Sequence, residues 1–193
     1  MDDLIEQQDQ LQSEAENLLK ETLLLEFLSK LGKPIRTGSS TTGLMVYPDI
    51  DFSVQNDSYN VQDALSLTNA LFETLEITSL KIADFSRDDS EGAGYYIGFE
   101  LPFKGKTWHI DATISKVGPI ITNPPEMQNW IDAMTNDERV TVLNLKKQLI
   151  DTKRYAGAHS QPPYTFRSSH VYEGVLKGGA HTIIELENYF LKS

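Results

Sequence analysis

No cysteine occurs in the 193 residues. That absence excludes disulfide scaffolds, thiolate zinc sites and cysteine nucleophiles. No apolar run approaches the roughly 18 residues that a membrane span needs. The opening MDDLIEQQDQ is acidic, unlike a secretory signal or a basic transit peptide. Basic residues are scarce: 17 Lys and Arg stand against 28 Asp and Glu, for a net charge of −11. Such a charge repels a nucleic acid backbone unless a local basic patch overrides it. These features predict a cytoplasmic protein with no membrane partner. The length fits one domain of roughly 100–200 residues, or a core with a helical appendage.

The charge is uneven. Residues 1–31 hold eight acidic and two basic residues, and residues 32–137 hold fifteen and seven. Residues 138–193 hold five acidic and eight basic, so only this last segment is net basic. A bound anion is expected to draw on it.

Leu4, Leu11, Leu18 and Leu25 recur every seven residues and predict one long helix over 2–31, ended by Gly32 and Pro34. Polar Gln7 and Thr22 favour packing on its own domain over a coiled-coil seam. A glycine- and serine-rich turn follows, then the alternating Ile50, Phe52 and Val54 of a strand. Helical spacing covers 60–76, with Leu65, Leu71, Phe72 and Leu75 on the apolar stripe. Strands are expected in SLKIADFS, GYYIGFELPF and KTWHIDATIS, with a hairpin turn at Gly105. Beyond Pro119, Pro124 and Pro125 the pattern turns helical, over 125–134, 137–153, 168–178 and 182–191. The expected class is α+β: a small mixed sheet, a long N-terminal helix and a C-terminal helical subdomain. The expected division is a core over 1–118 and a helical subdomain over 119–193.

The polar residues concentrate in one segment. Gly38-Ser39-Ser40 is followed, after a short spacer, by Asp49-Ile50-Asp51-Phe52, and a third acid, Asp111, sits in the run Trp108-His109-Ile110-Asp111-Ala112. Two carboxylates at i and i+2 share one face of a strand. They repel each other unless a cation lies between them, and hard divalent ions take such oxygen ligands. A glycine beside hydroxyl residues lets backbone N–H groups approach a phosphate. Metal ligands beside a phosphate cradle are what phosphoryl or nucleotidyl transfer requires.

Gly38-Ser39, Gly43, Asp49-Ile50-Asp51-Phe52 and Asp111 together resemble the signature of the DNA polymerase beta-like nucleotidyltransferase superfamily, over roughly residues 30–115. Over 120–193, Leu145-Lys146, Tyr155, Phe166, Ser168 and Glu173 resemble the helical segment of archaeal CCA-adding and oligoadenylate synthetase-like enzymes. The resemblance implies a metal-dependent nucleotidyltransferase that moves a nucleoside monophosphate, AMP from ATP, to an acceptor hydroxyl and releases pyrophosphate. Asp49, Asp51 and Asp111 would hold two Mg²⁺ ions, or Mn²⁺. Gly38, Ser39 and Ser40 would cradle phosphates, and Lys146, Tyr155 and Ser168 would contact the triphosphate. The acceptor, whether small molecule, protein or RNA end, and the oligomeric state stay open. The alternative of another class is a regulatory, antitoxin-like nucleotide binder without transfer.

Arg139, Lys146 and Lys153, seven apart, are expected near one helix face, with Lys147 adjacent and Arg154 nearby as further offsets to a triphosphate. His109 shares the strand face of Asp111, while His159, His170 and His181 lack metal-ligand spacing. Trp108 and Trp130 read as core.

Overall fold

The computed structural model describes residues 2–58, 60–85, 94–115, 124–157 and 160–192; Pro119 and His159 lie outside them. The chain divides into two compact units. One comprises Leu11–Thr41 and Tyr47–Thr122, the other Met1–Gln10, Thr42–Val46 and Asn123–Ser193.

The first unit is built on a five-stranded mixed sheet in the order β1-β2-β5-β4-β3. The strands are β1 (Lys33–Thr37), β2 (Asp49–Gln55), β3 (Ser79–Asp84), β4 (Gly94–Phe103) and β5 (Lys106–Ser115). Neighbours pair antiparallel except β2 and β5, which run parallel. The β4–β5 hairpin turns over Lys104 and Gly105, both at positive φ (48° and 82°). That geometry matches the twist of the flanking strands. Ile50, Phe52 and Val54 of β2 and Ile110, Ala112 and Ile114 of β5 are all buried. Strand alternation therefore puts the acidic positions of both strands on the opposite face.

Two helices replace the single one expected at the N-terminus: α1 (Asp2–Glu21) and α2 (Leu24–Leu31). Thr22 makes the break. Its hydroxyl donates to the Leu18 carbonyl at 2.8 Å and accepts from the Leu24 amide at 3.4 Å. A side chain that satisfies local backbone groups competes with the helical ladder. The break also rotates the apolar face. Leu11 and Leu18 stay buried, but Leu25 is exposed and Leu24, Phe27, Leu28 and Leu31 are buried instead. In α4 (Val61–Thr74), Leu71 is buried, with Leu75 just beyond its end, whereas Leu65 and Phe72 are exposed.

The second unit gathers α5 (Pro125–Asp132), α6 (Asn136–Asp151), α7 (Ser168–Leu176) and α8 (Ile183–Lys192). Their shared core includes Leu44, Leu145, Leu149, Phe166 and Leu186. Helix α6 starts on a capping box. The Glu138 amide donates to the Thr135 hydroxyl at 3.3 Å, and the Thr135 amide donates to the Glu138 carboxylate at 2.8 Å. Thr135→Ala is expected to cost about 1 kcal/mol, read as a melting point lower by roughly 2–4 °C. The bonds from the Thr135 side chain, then from its backbone, hold the Glu138 carboxyl below its usual range. A depressed carboxyl stabilises above its unfolded pKa and stops doing so as pH falls through the folded one. The gap between Thr135→Ala and wild type should therefore close in acid; thermal melts across pH check it.

Candidate active site

Three aspartates converge on the polar face of the sheet. Strand β2 carries Asp49 and Asp51, and the parallel pairing sets Asp51 opposite Asp111 of β5. One carboxylate oxygen from each lies within 4.8 Å of the other two. Asp49 is buried, and Asp51 and Asp111 are half-buried. Three negative charges so close repel strongly in a partly desolvated setting. An all-oxygen, all-anionic donor set fits a hard divalent cation such as Mg²⁺ or Mn²⁺.

The turn from β1 sits against this cluster. Gly38 has φ +68°, the left-handed region. A Cβ there would lie 1.9 Å from Asp51 Oδ2 and 2.8 Å from its Cγ. Glycine is therefore required twice, for the backbone angle and for the carboxylate's approach. One helical turn follows, α3 (Ser39–Thr42). The Thr41 amide and hydroxyl both donate to the Gly38 carbonyl, at 3.2 and 2.9 Å. Ser40 is buried, its hydroxyl donates to the Thr37 carbonyl at 3.2 Å, and its own carbonyl accepts from Gln12 at 2.7 Å. Ser40 thus ties the turn together. Ser39 is also buried and opens α3.

Two residues that the motif does not contain complete the geometry. The Tyr96 hydroxyl on β4 donates to Asp111 Oδ1 at 2.6 Å. Burial, then the bond to Asp111 and the charges of Asp111, Asp49 and Asp51, push this phenol well above its usual pKa. It therefore stays protonated and acts as the donor. Gly98, opposite Asp111, leaves the space that Tyr96 crosses. A glycine inside a strand often marks such an approach, and that is the one signal the sequence offered. His109, opposite Asp49, lies 3.8 Å from Glu100 and is largely exposed. Trp108 is fully buried in the core.

The predicted triphosphate contacts belong to the helical unit. A short bridge pairs Tyr155 with Phe166: the Phe166 amide donates to the Arg154 carbonyl at 2.9 Å, and the Ala156 amide to the Phe166 carbonyl at 2.7 Å. It brings the Tyr155 and Ser168 hydroxyls together in a short hydrogen bond. Lys146 is enclosed, with no exposed surface. Its ammonium donates to the Leu44 carbonyl at 2.5 Å and lies 5.7 Å from the Tyr172 ring centre. Its neighbour Lys147 is exposed.

The expected row of cations on α6 is shorter than the spacing implied. The helix stops at Asp151, and Lys153 lies beyond it in the left-handed conformation (φ 56°). Arg139 is engaged by the Gly43 carbonyl at 3.2 Å, by Asp9 at 3.1 Å and by Gln8. Arg154 pairs with Glu187 and donates to the Pro163 and Tyr164 carbonyls. His170 packs against Phe166 and Phe190, and burial, then the nearby Arg167, hold its pKa down. Both arginines and Lys146 thus bind protein groups.

No family model and no curated sequence matches the chain. Solved structures do. The polymerase core of TRAMP, an RNA surveillance complex, superposes with a TM-score of 0.53 at 18% identity, over 88% of this chain and 55% of that one. The Cid1 poly(U) polymerase, in a Mg 3′-dATP-bound structure on UTP selectivity, superposes with a TM-score of 0.54 at 16% identity, over 86% of this chain and 48% of that one. The chain thus spans about half the length of each. At such identity the likeness is one of fold. The mixed sheet with its flanking helices is a fold that the chain shares with these two polymerases.

Proposed function

We propose that the chain is a metal-dependent nucleotidyltransferase that transfers a nucleoside monophosphate, AMP from ATP, to an acceptor hydroxyl. The observation that carries this reading is the convergence of Asp49, Asp51 and Asp111 within 4.8 Å on one sheet face. These carboxylates would hold divalent ions, which would supply charge stabilisation to the attacking and leaving oxygens. Asp49 and Asp51 would bind both ions, and Asp111 would complete the ligand set of one of them. Asp111 also accepts the proton of the acceptor hydroxyl as its oxygen attacks the α-phosphorus and pyrophosphate leaves. Gly38 and Ser39 place backbone N–H groups against the β- and γ-phosphates. Ser40 serves this turn from beneath, through its bond to Thr37. Tyr155 and Ser168, joined by their hydroxyls, are the triphosphate contacts of the helical unit. The role of Lys146 rests on the resemblance alone, since its ammonium is spent on Leu44.

The neighbours are RNA-related polymerases by their descriptions, which supports an RNA 3′ end as acceptor. The net charge of −11 supports a cationic small molecule over a long RNA. The test is pyrophosphate release from each of the four ribonucleotides with Mg²⁺ or Mn²⁺, against short RNAs, aminoglycosides and protein acceptors. Release with transfer of label to one acceptor is the expected result. Nucleotide binding without release across the whole panel would support the regulatory, antitoxin-like reading instead.

A further inference from the structure

We infer that Tyr96 is a positioning residue for the third carboxylate: from β4, on the side of β5 away from Asp49 and Asp51, it fixes one oxygen of Asp111 and so sets the orientation of that carboxylate beside the other two, in a gap that Gly98 leaves open. The inference rests on the triad being the metal site of the proposed transfer.

The strand register shows why two residues are needed. Asp111 stands opposite Gly98, and Tyr96 stands opposite Thr113, one step further along the same face. To reach Asp111, the Tyr96 ring must lie along its own strand, over position 98. A Cβ at that position would meet the Tyr96 hydroxyl at 2.2 Å, its Cζ at 2.7 Å and Asp111 Oδ1 at 2.9 Å. Any side chain other than hydrogen would expel the phenol. Lys81, opposite Gly98 on the next strand, sets its ammonium 5.7 Å from the ring centre, a cation–π distance.

The chemistry of the donor is selective. Repulsion from the two like charges on β2 pushes the Asp111 carboxylate toward β4, where a fixed donor holds it in one orientation. A lysine or arginine anchor would neutralise it and compete with the incoming ion. A protonated phenol does neither. It occupies one oxygen and leaves the remaining lone pairs of the carboxylate for a metal. The 2.6 Å separation is typical of a charge-assisted O–H···O⁻ bond. Partners of this kind orient ligating carboxylates, and their loss typically lowers metal affinity or activity about 10–100-fold.

The experiment compares the full chain with Tyr96→Phe, which keeps the ring and removes the donor. Mn²⁺ binding is measured by electron paramagnetic resonance without nucleotide, then kcat and KM for the nucleotide are measured with Mg²⁺. The expected result is Mn²⁺ affinity about tenfold weaker or more, a fall in kcat of similar size, and a KM changed little. A role in packing alone would lower the melting point without moving Mn²⁺ affinity, and that outcome overturns the inference. Wild-type Mn²⁺ binding that Tyr96→Phe weakens, with no pyrophosphate released by either, would uphold the positioning role while removing the transferase reading. Should Tyr96→Phe fail to fold, Gly98→Ala reports on the same contact by driving the phenol off Asp111. Unchanged Mn²⁺ affinity in that variant also overturns the inference.

Discussion

Asp111→Asn is expected to lower turnover by about 10²-fold or more, the scale seen when a principal electrostatic element is lost. The substitution is nearly isosteric. The asparagine oxygen still accepts from Tyr96, which donates to Asp111 Oδ1 in the wild type, so the local fold should hold. What changes is charge: one of three carboxylates within 4.8 Å of one another becomes neutral. Without metal the variant should melt no lower than wild type, because like-charge repulsion falls. With Mg²⁺ the order should reverse, since only the intact set gains from a bound ion. The assay follows radiolabelled nucleotide and pyrophosphate, with thermal unfolding in parallel. Turnover near wild type would reject the assignment of Asp111 to the metal.

Gly38→Ala is expected to be comparably damaging through a different cause. Alanine at φ +68° costs about 1–2 kcal/mol. Beyond that strain, its Cβ would press on Asp51 Oδ2 at 1.9 Å, so either the turn or the carboxylate must move. Both belong to the proposed site, and activity should fall by about 10²-fold, as for direct loss of a ligand's geometry. Gly43→Ala is the matched control. Its φ is +67°, yet its Cβ would meet no carboxylate: the nearest atoms are the end of the Arg139 side chain, at 3.2 Å, and Gln8 Nε2, at 3.8 Å. The two variants share backbone strain and differ in the carboxylate. Equal activity in both would show that Asp51 does not depend on Gly38.

What was readable in the sequence was local. The alternation through Ile50, Phe52 and Val54 put Asp49 and Asp51 on one face because a strand has period two. The Gly38 turn was readable only in combination, as a glycine and hydroxyl residues set a short spacer before the paired aspartates. The strand that carries Asp111 was also legible. Its pairing partner was not, since periodicity reports a face and never a neighbour. For the same reason Tyr96 stayed hidden: its role depends on the register that sets Gly98 against Asp111. The break at Thr22 escaped because a hydroxyl bonding back to Leu18 leaves the heptad of leucines intact. The early end of α6 escaped because a left-handed position usually announces itself by glycine or asparagine, and here it is Lys153.

The parallel pairing of β2 with β5 has a consequence for how the protein comes into being. Strands β4 and β5 are joined by a two-residue turn and can zip on the timescale of microseconds. Asp51 meets Asp111 only when the 59 intervening residues, 52–110, have been drawn into a closed loop, a late and entropically costly event. A nascent or half-folded chain therefore displays two carboxylates without their third. Affinity for a divalent ion arrives with the final closure, so ion uptake can serve as a clock for the completion of folding.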